Sequence, residues 1–202
     1  MRYAIFGGTF DPIHTAHLEV ARQAAARFAL DEVLLIPAGN PPHKQGLRRE
    51  PFEHRYRMVE LACLGEAKLR PSRIEQGRER SYSIHTIERL RESRPGDAAF
   101  FLIGADAFAE IETWHRWNDV VAAVEFIVVS RPGHRYDIPE GARVHRLDSV
   151  ELPVSSSEIR NRLAHGENPP QLSASVLAYI REHRLYGVDH AAGNTDATIT
   201  AR

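Results

Sequence analysis

Hydrophobic positions along the chain follow two alternating rhythms. Short apolar runs predict strands at Tyr3–Phe6, Val33–Ile36, Phe100–Ile103, Phe126–Val129 and Val144–Leu147, with a weaker candidate at Lys68–Ile74. Phe100–Ile103 and Phe126–Val129 are apolar without a break, as expected of strands covered on both faces. Between these runs the apolar residues recur at helical spacing. A helix from about Thr15 to Phe28 aligns Leu18, Ala21, Ala25 and Phe28 on one face. Further helices are predicted over Phe52–Leu64, Ser83–Glu92, Ser155–Ala164 and Ser173–His183, with helical material within Asp106–Val124. In Ser83–Glu92 the inward turns are Ile84, Ile87 and either Leu90 or Arg91.

Such alternation implies the α/β class: a Rossmann-like, doubly wound parallel sheet with helices on both faces and a small C-terminal helical part. One domain is expected over residues 1–186, with the small, polar stretch 187–202 as a disordered tail. Ligand sites in such sheets gather beyond the carboxyl ends of the strands. The unusual residues of this chain all follow strands.

Composition narrows the function. At 202 residues, 43% hydrophobic and 26% charged, the chain can bury an ordinary globular core. A formal net charge of −1 argues against a nucleic-acid partner, so any anion site must be a local arrangement. No apolar run approaches the roughly 20 residues that cross a bilayer, which argues against a membrane partner. The opening MRYAIFGGTFDP has too short an apolar stretch for a secretory signal. The single cysteine, Cys63, excludes an intrachain disulfide and suits a reducing cytoplasm. It follows Tyr56 and Val59 at helical spacing, so it belongs to the core rather than to catalysis. A homo-oligomer stays open.

Candidate chemistry begins at Gly7-Gly8-Thr9-Phe10-Asp11-Pro12-Ile13-His14-Thr15-Ala16-His17, directly after the first strand. Two glycines allow a tight turn and a close approach to a ligand. The turn leads to a helix start, where open N–H groups and the helix dipole favour phosphate. His14 and His17, three residues apart, can face the same site and donate to phosphate oxygens. Two histidines alone lack the further ligands of a zinc site, so no metal ligand is assigned.

After the second strand comes Pro41-Pro42-His43-Lys44, followed by Arg48, Arg49, His54, Arg55 and Arg57. The prolines stiffen the loop; Arg48 and Arg49 are expected on a solvated basic stretch. Ser83 in Ser81-Tyr82-Ser83 is an N-cap candidate. Gly104 ends a buried strand, with Asp106 placed to accept from ribose hydroxyls, and Trp114 offers a flat stacking face. Trp117 reads as core. Ser155, Ser156 and Ser157 can cap a helix and offer hydroxyls, with Arg160 on the same face. Neither a GxxxxGK[ST] nor a GxGxxG string occurs, which disfavours kinase and dehydrogenase readings.

The His14–His17 string resembles the T/HxGH signature of the nucleotidyltransferase superfamily, and GGTFDPIH resembles the nicotinate mononucleotide adenylyltransferases in particular. PPHK, Arg55 with Met58, SYS, the Gly104…Trp114 segment and Ser155–Arg160 extend the resemblance, as does the ending Val176…Tyr186. Ala16 stands where that family has Gly, and His85 where it has Asp. Ala is the better helix former, so the helix should keep its shape.

The resemblance implies attack of the nicotinate mononucleotide 5′-phosphate on the α-phosphorus of ATP, with release of pyrophosphate. It implies catalytic roles for His14, His17, Lys44 and Arg160. ATP would meet Gly7, Gly8, Thr9, Phe10, His14, His17, Gly104, Asp106, Arg131, Ser156, Ser157 and Arg160. Nicotinate mononucleotide would meet Thr9, Lys44, Ser83, Thr86, Trp114 and His115. Mg²⁺ would be held largely by substrate phosphates and water. A related transferase acting on nicotinamide mononucleotide or phosphopantetheine is the alternative. An aminoacyl-tRNA synthetase-like domain and a non-catalytic nucleotide sensor fit less well: the first expects an anticodon-binding domain, the second the loss of a phosphate-binding group.

Overall fold

The computed structural model describes residues 1–40, 49–77, 80–130, 135–148 and 154–188. Six strands form one sheet: β1 (Arg2–Gly8), β2 (Glu32–Pro37), β3 (Leu69–Pro71), β4 (Ala98–Gly104), β5 (Glu125–Ser130) and β6 (Val144–Asp148). Every pairing is parallel and the spatial order is β3-β2-β1-β4-β5-β6. This is the doubly wound Rossmann-like arrangement expected. The helices are α1 (Thr15–Arg27), α2 (Phe52–Ala62), α3 (Ser83–Ser93), α4 (Ala105–Ala109), α5 (Trp117–Ala123), α6 (Ser156–Ala164) and α7 (Ala174–Glu182).

The period of two along each strand sorts its side chains onto opposite faces. Ala4, Val33, Leu35, Phe100 and Leu102 join a core with residues of α1, α2, α6 and α7. Their neighbours Ile5, Leu34, Ile36, Phe101 and Ile103 join a second core with residues of α3, α4 and α5. Leu18, Ala21 and Ala25 of α1 are buried as the spacing predicts, and α1 runs unbroken through Ala16. On α3 the inward position is Leu90, while Arg91 is exposed. Cys63 is buried, and burial pushes its thiol up to about 12, which keeps it un-ionised.

Two elements are shorter than their patterns suggest. β3 spans only Leu69–Pro71, because Pro71 lacks an N–H and confines the segment to a sheet edge. The stretch Asp106–Val124 breaks into α4, a 3-10 turn at Ile111–Thr113, and α5. Trp114 is extended (φ −75°, ψ 147°) and Arg116 is left-handed (φ 53°). That break lifts Trp114 and His115 out of any helix. Among the described residues no helix is long and apolar enough to cross a membrane.

Candidate functional site

Strand order reverses between β1 and β4: the chain winds outward from β1 to β3, then returns to the centre and winds the other way. The carboxyl ends of β1 and β4 therefore flank a crevice that no crossover helix covers. A cavity of about 280 Å³ opens there. Its floor is Gly7, Gly8 and Thr9 with Ile103 and Gly104, and one wall is Tyr82, Ser83 and Thr86 around the start of α3. Trp114 and His115 also line it, His115 on the same side as Tyr82. Trp114 is half-buried, its ring edge-on to Phe101 at 5.9 Å. The His115 ring lies 4.4 Å from that of Tyr82, with His85 5.9 Å from His115.

The glycine turn is built differently from expectation. Gly7 and Gly8 are the last residues of β1, paired with Ile36 and Pro37, and the chain turns at Phe10, whose backbone is left-handed (φ 48°). Gly8 is required by packing: a Cβ there would lie 2.9 Å from the Phe10 ring. A Cβ on Gly7 would meet nothing within 4 Å, consistent with an open cavity floor.

His14 is the N-cap of α1 and His17 sits in its first turn. Their rings stack at 3.8 Å. The His14 backbone N–H donates to His17 Nδ1 at 3.3 Å, which assigns the proton of a neutral His17 ring to Nε2. His14 is buried, with Nδ1 lacking a hydrogen-bond partner, and burial lowers its pKa to about 4. At neutral pH it is an uncharged ring. Nor is the first turn of α1 a row of open amides: Thr15 N–H donates to the Gln171 carbonyl and His17 N–H to that of His14. The amides of Thr15 and His17 are therefore already engaged within the protein.

α6 is stitched onto the same loop. Ser155 caps α6 through Glu158 N–H, Ser156 Oγ donates to the Pro12 carbonyl at 3.1 Å, and Arg160 Nη1 donates to the Asp11 carbonyl at 2.7 Å. Arg160 Nη2 donates to Ser157 Oγ at 3.0 Å. A guanidinium from the last third of the chain thus lies three residues from His14. Asp106 is exposed in the first turn of α4, two residues after cavity-lining Gly104.

Other expectations are revised. Tyr82, not Ser83, occupies the N-cap position of α3 and makes no side-chain cap; Ser83 is the first helical residue, where the predicted span begins, and the Tyr82 ring lies beside His115. Arg49 is half-buried rather than solvated, close enough to Arg55 to disfavour its charge. Arg55 is structural: it is buried, donating to the Thr9 and Glu50 carbonyls at 2.8 and 2.9 Å. Its pKa is lowered by burial, against the nearby Asp11 carboxylate, which raises it. Trp117 packs partly buried on the second core. Lys44, Arg48, Arg131 and residues 189–202 lie outside the described residues.

Sequence reasoning missed two buried carboxylates. Glu75 lines the cavity, accepting from Thr86 Oγ1 at 2.8 Å and from Gly39 N–H at 3.3 Å. Asp11 accepts from the Tyr186 hydroxyl at 2.7 Å. Asp11 could have been suspected from its apolar neighbours Phe10, Pro12 and Ile13, since a carboxylate is buried only with partners, whereas Glu75 lies in the polar stretch Arg73-Ile74-Glu75-Gln76, which carries no local signal of burial.

A cytidylyltransferase-like family model matches residues 5–162. A Solibacter usitatus protein named "Probable nicotinate-nucleotide adenylyltransferase" is 60% identical over 187 residues, 92% of this chain and all of the relative. The chain belongs to the nicotinate-nucleotide adenylyltransferase family. A family member of the same name from Exiguobacterium sibiricum is 43% identical over 92% of this chain and 99% of its own. The fold is shared with the Plasmodium falciparum nicotinic acid mononucleotide adenylyltransferase, solved in complexes with APC and with NaAD. That match has a TM-score of 0.76 and 21% identity over 93% of this chain and 98% of the other.

Proposed function

We propose that the protein transfers the adenylyl group of ATP to nicotinate mononucleotide, giving nicotinate adenine dinucleotide and pyrophosphate. The observation that supports this reading is the junction of α6 with the loop before α1: Arg160 and Ser156 bond the Asp11 and Pro12 carbonyls, three and two residues ahead of His14, in the loop that follows β1 at the strand-order reversal. A 5′-phosphate oxygen of the mononucleotide bonds to the α-phosphorus, and the bond from that phosphorus to the bridging oxygen of pyrophosphate breaks. No protein nucleophile is required; position and charge neutralisation supply the catalysis.

His17 Nε2–H donates to a phosphate oxygen, and Arg160 adds a fixed positive charge. Lys44 and Arg131 add their cations to the substrate phosphates. His14 joins as a second donor and gains a proton more readily once a polyanion is beside it. Gly104 and Asp106 receive the adenosine ribose. Trp114 stacks on the pyridine ring, while Ser83, Thr86 and His115 line its carboxylate end. Glu75 occupies the Thr86 hydroxyl, so the contact proposed for Thr86 is through its backbone.

Among the described residues no group of three or more His, Cys, Asp or Glu side chains could hold a metal ion. Mg²⁺ is taken to arrive as part of the substrate, MgATP, with phosphate and water oxygens around it. There it offsets triphosphate charge.

Pyrophosphate release from MgATP tests the reading, with nicotinate mononucleotide, nicotinamide mononucleotide and phosphopantetheine as parallel acceptors. The nicotinate acceptor should give the highest kcat/KM. Release with phosphopantetheine alone would refute the proposal.

A further inference from the structure

The C-terminal end of the described chain returns to the catalytic loop. α7 is fixed to α2 by a three-ring cluster: the Tyr179 hydroxyl and His54 Nδ1 lie 2.9 Å apart, and His183 stacks on Tyr179 at 4.0 Å. Two left-handed residues then follow, Arg184 (φ 52°) and Tyr186 (φ 60°), around a 3-10 turn at Leu185–Gly187. Non-glycine residues adopt this conformation only where their surroundings impose it. Its product is the Tyr186 hydroxyl, brought 2.7 Å from Asp11 Oδ1, with Tyr186 N–H 3.4 Å from Glu50.

Asp11 is 3% exposed and lies between left-handed Phe10 and the cap residue His14. Its backbone carbonyl is held by Arg160 and its carboxylate by Tyr186. Burial, with Asp11 beside it, raises the Tyr186 pKa, so the phenol stays protonated and is the donor. Arg55 holds the same loop from α2 through the Thr9 carbonyl.

We propose that Tyr186 is a positioning residue for adenylyl transfer: through Asp11 it fixes the loop whose shape sets His14 and His17 against the reacting phosphates. The proposal rests on the adenylyl-transfer reading above. Tyr186 touches neither substrate; its effect passes through the loop. The signature is therefore a fall in kcat with substrate binding retained, because misplacement of reacting groups by about 1 Å can cost on the order of 10²-fold.

The experiment is steady-state pyrophosphate release by Y186F, D11A, the double variant and D11N, with circular dichroism at the assay temperature reporting the folded fraction. Y186F should lose roughly 10- to 100-fold in kcat, with KM for nicotinate mononucleotide within about twofold of wild type. D11A should lose the same amount and the double variant no more than either single change, because both remove one link. D11N retains an Oδ1 acceptor for the phenol and should recover most of the rate. A Y186F kcat within about twofold of wild type would overturn the proposal, as would multiplying losses or a loss that merely tracks the folded fraction. Wild-type protein that releases no pyrophosphate would remove the function itself, a separate and distinguishable outcome.

Discussion

Acid should weaken this protein through His14, and the size of the effect can be worked from burial. The ring is 6% exposed with an unpartnered Nδ1, and its pKa lies at about 4 when folded. An unfolded histidine titrates near 6.5. The folded pKa is depressed, so the stability tied to the neutral ring is complete above about pH 6.5 and is lost as pH falls toward 4. In that window the unfolded chain takes up a proton that the folded one refuses. The loss relative to neutral pH is about 2 kcal/mol at pH 5 and about 3 kcal/mol at pH 4, from the folded value of about 4 and the unfolded value of ~6.5. Many carboxylates titrate in the same range, so the quantity to measure is a difference. His14→Asn keeps a good N-cap and removes the titrating ring. Urea denaturation of both proteins at pH 7, 6, 5 and 4 should show wild type losing this increment relative to the variant. A stability difference constant to within about 0.5 kcal/mol over that range would refute the reasoning. Added triphosphate should shrink the increment, since an adjacent polyanion favours the imidazolium.

Further outcomes are expected. His17→Ala should lower turnover by roughly 10²–10³, the cost of deleting a transition-state donor, and near wild-type turnover would remove His17 from the reacting phosphate. Trp114→Ala should raise KM for nicotinate mononucleotide more than for ATP; equal increases would contradict ring stacking. Gly8→Ala drives a Cβ to 2.9 Å from the Phe10 ring and should cost about 1–3 kcal/mol, whereas Gly7→Ala meets nothing within 4 Å and should leave thermal stability intact. The reverse ranking in a melting experiment would show that the loop is packed differently.

The strands of the sheet were legible because a strand buried on both faces is an unbroken apolar run, as at Phe100–Ile103 and Phe126–Val129. Strand order was not, since β4 returns beside β1 from far along the chain and nothing local marks it. Serine caps such as Ser155 could be read locally because their partners lie three residues away. The turn at Phe10 could not: a glycine pair suggests the conformational freedom, yet the left-handed residue is the aromatic one whose ring crowds Gly8. His14 and His17 were visible from spacing, but the neutrality of His14 comes from burial, which spacing does not reveal. Tyr186 and Asp11 are 175 positions apart, and a hydrogen bond over that separation leaves no periodic trace.

Several oxygens of the segment preceding α1 are already engaged. The carbonyls of Thr9, Asp11 and Pro12 accept from Arg55, Arg160 and Ser156, and the Asp11 side chain accepts from a phenol. An incoming triphosphate is repelled by any lone pair directed at it, so a stretch of backbone beside one must hide its electronegative edge. Here two guanidinium groups and two hydroxyls blunt that edge from within the protein. On the function proposed above, hospitality toward an anion would come as much from subtraction as from added cations, which would let a chain of nearly zero net charge hold a polyphosphate at one spot.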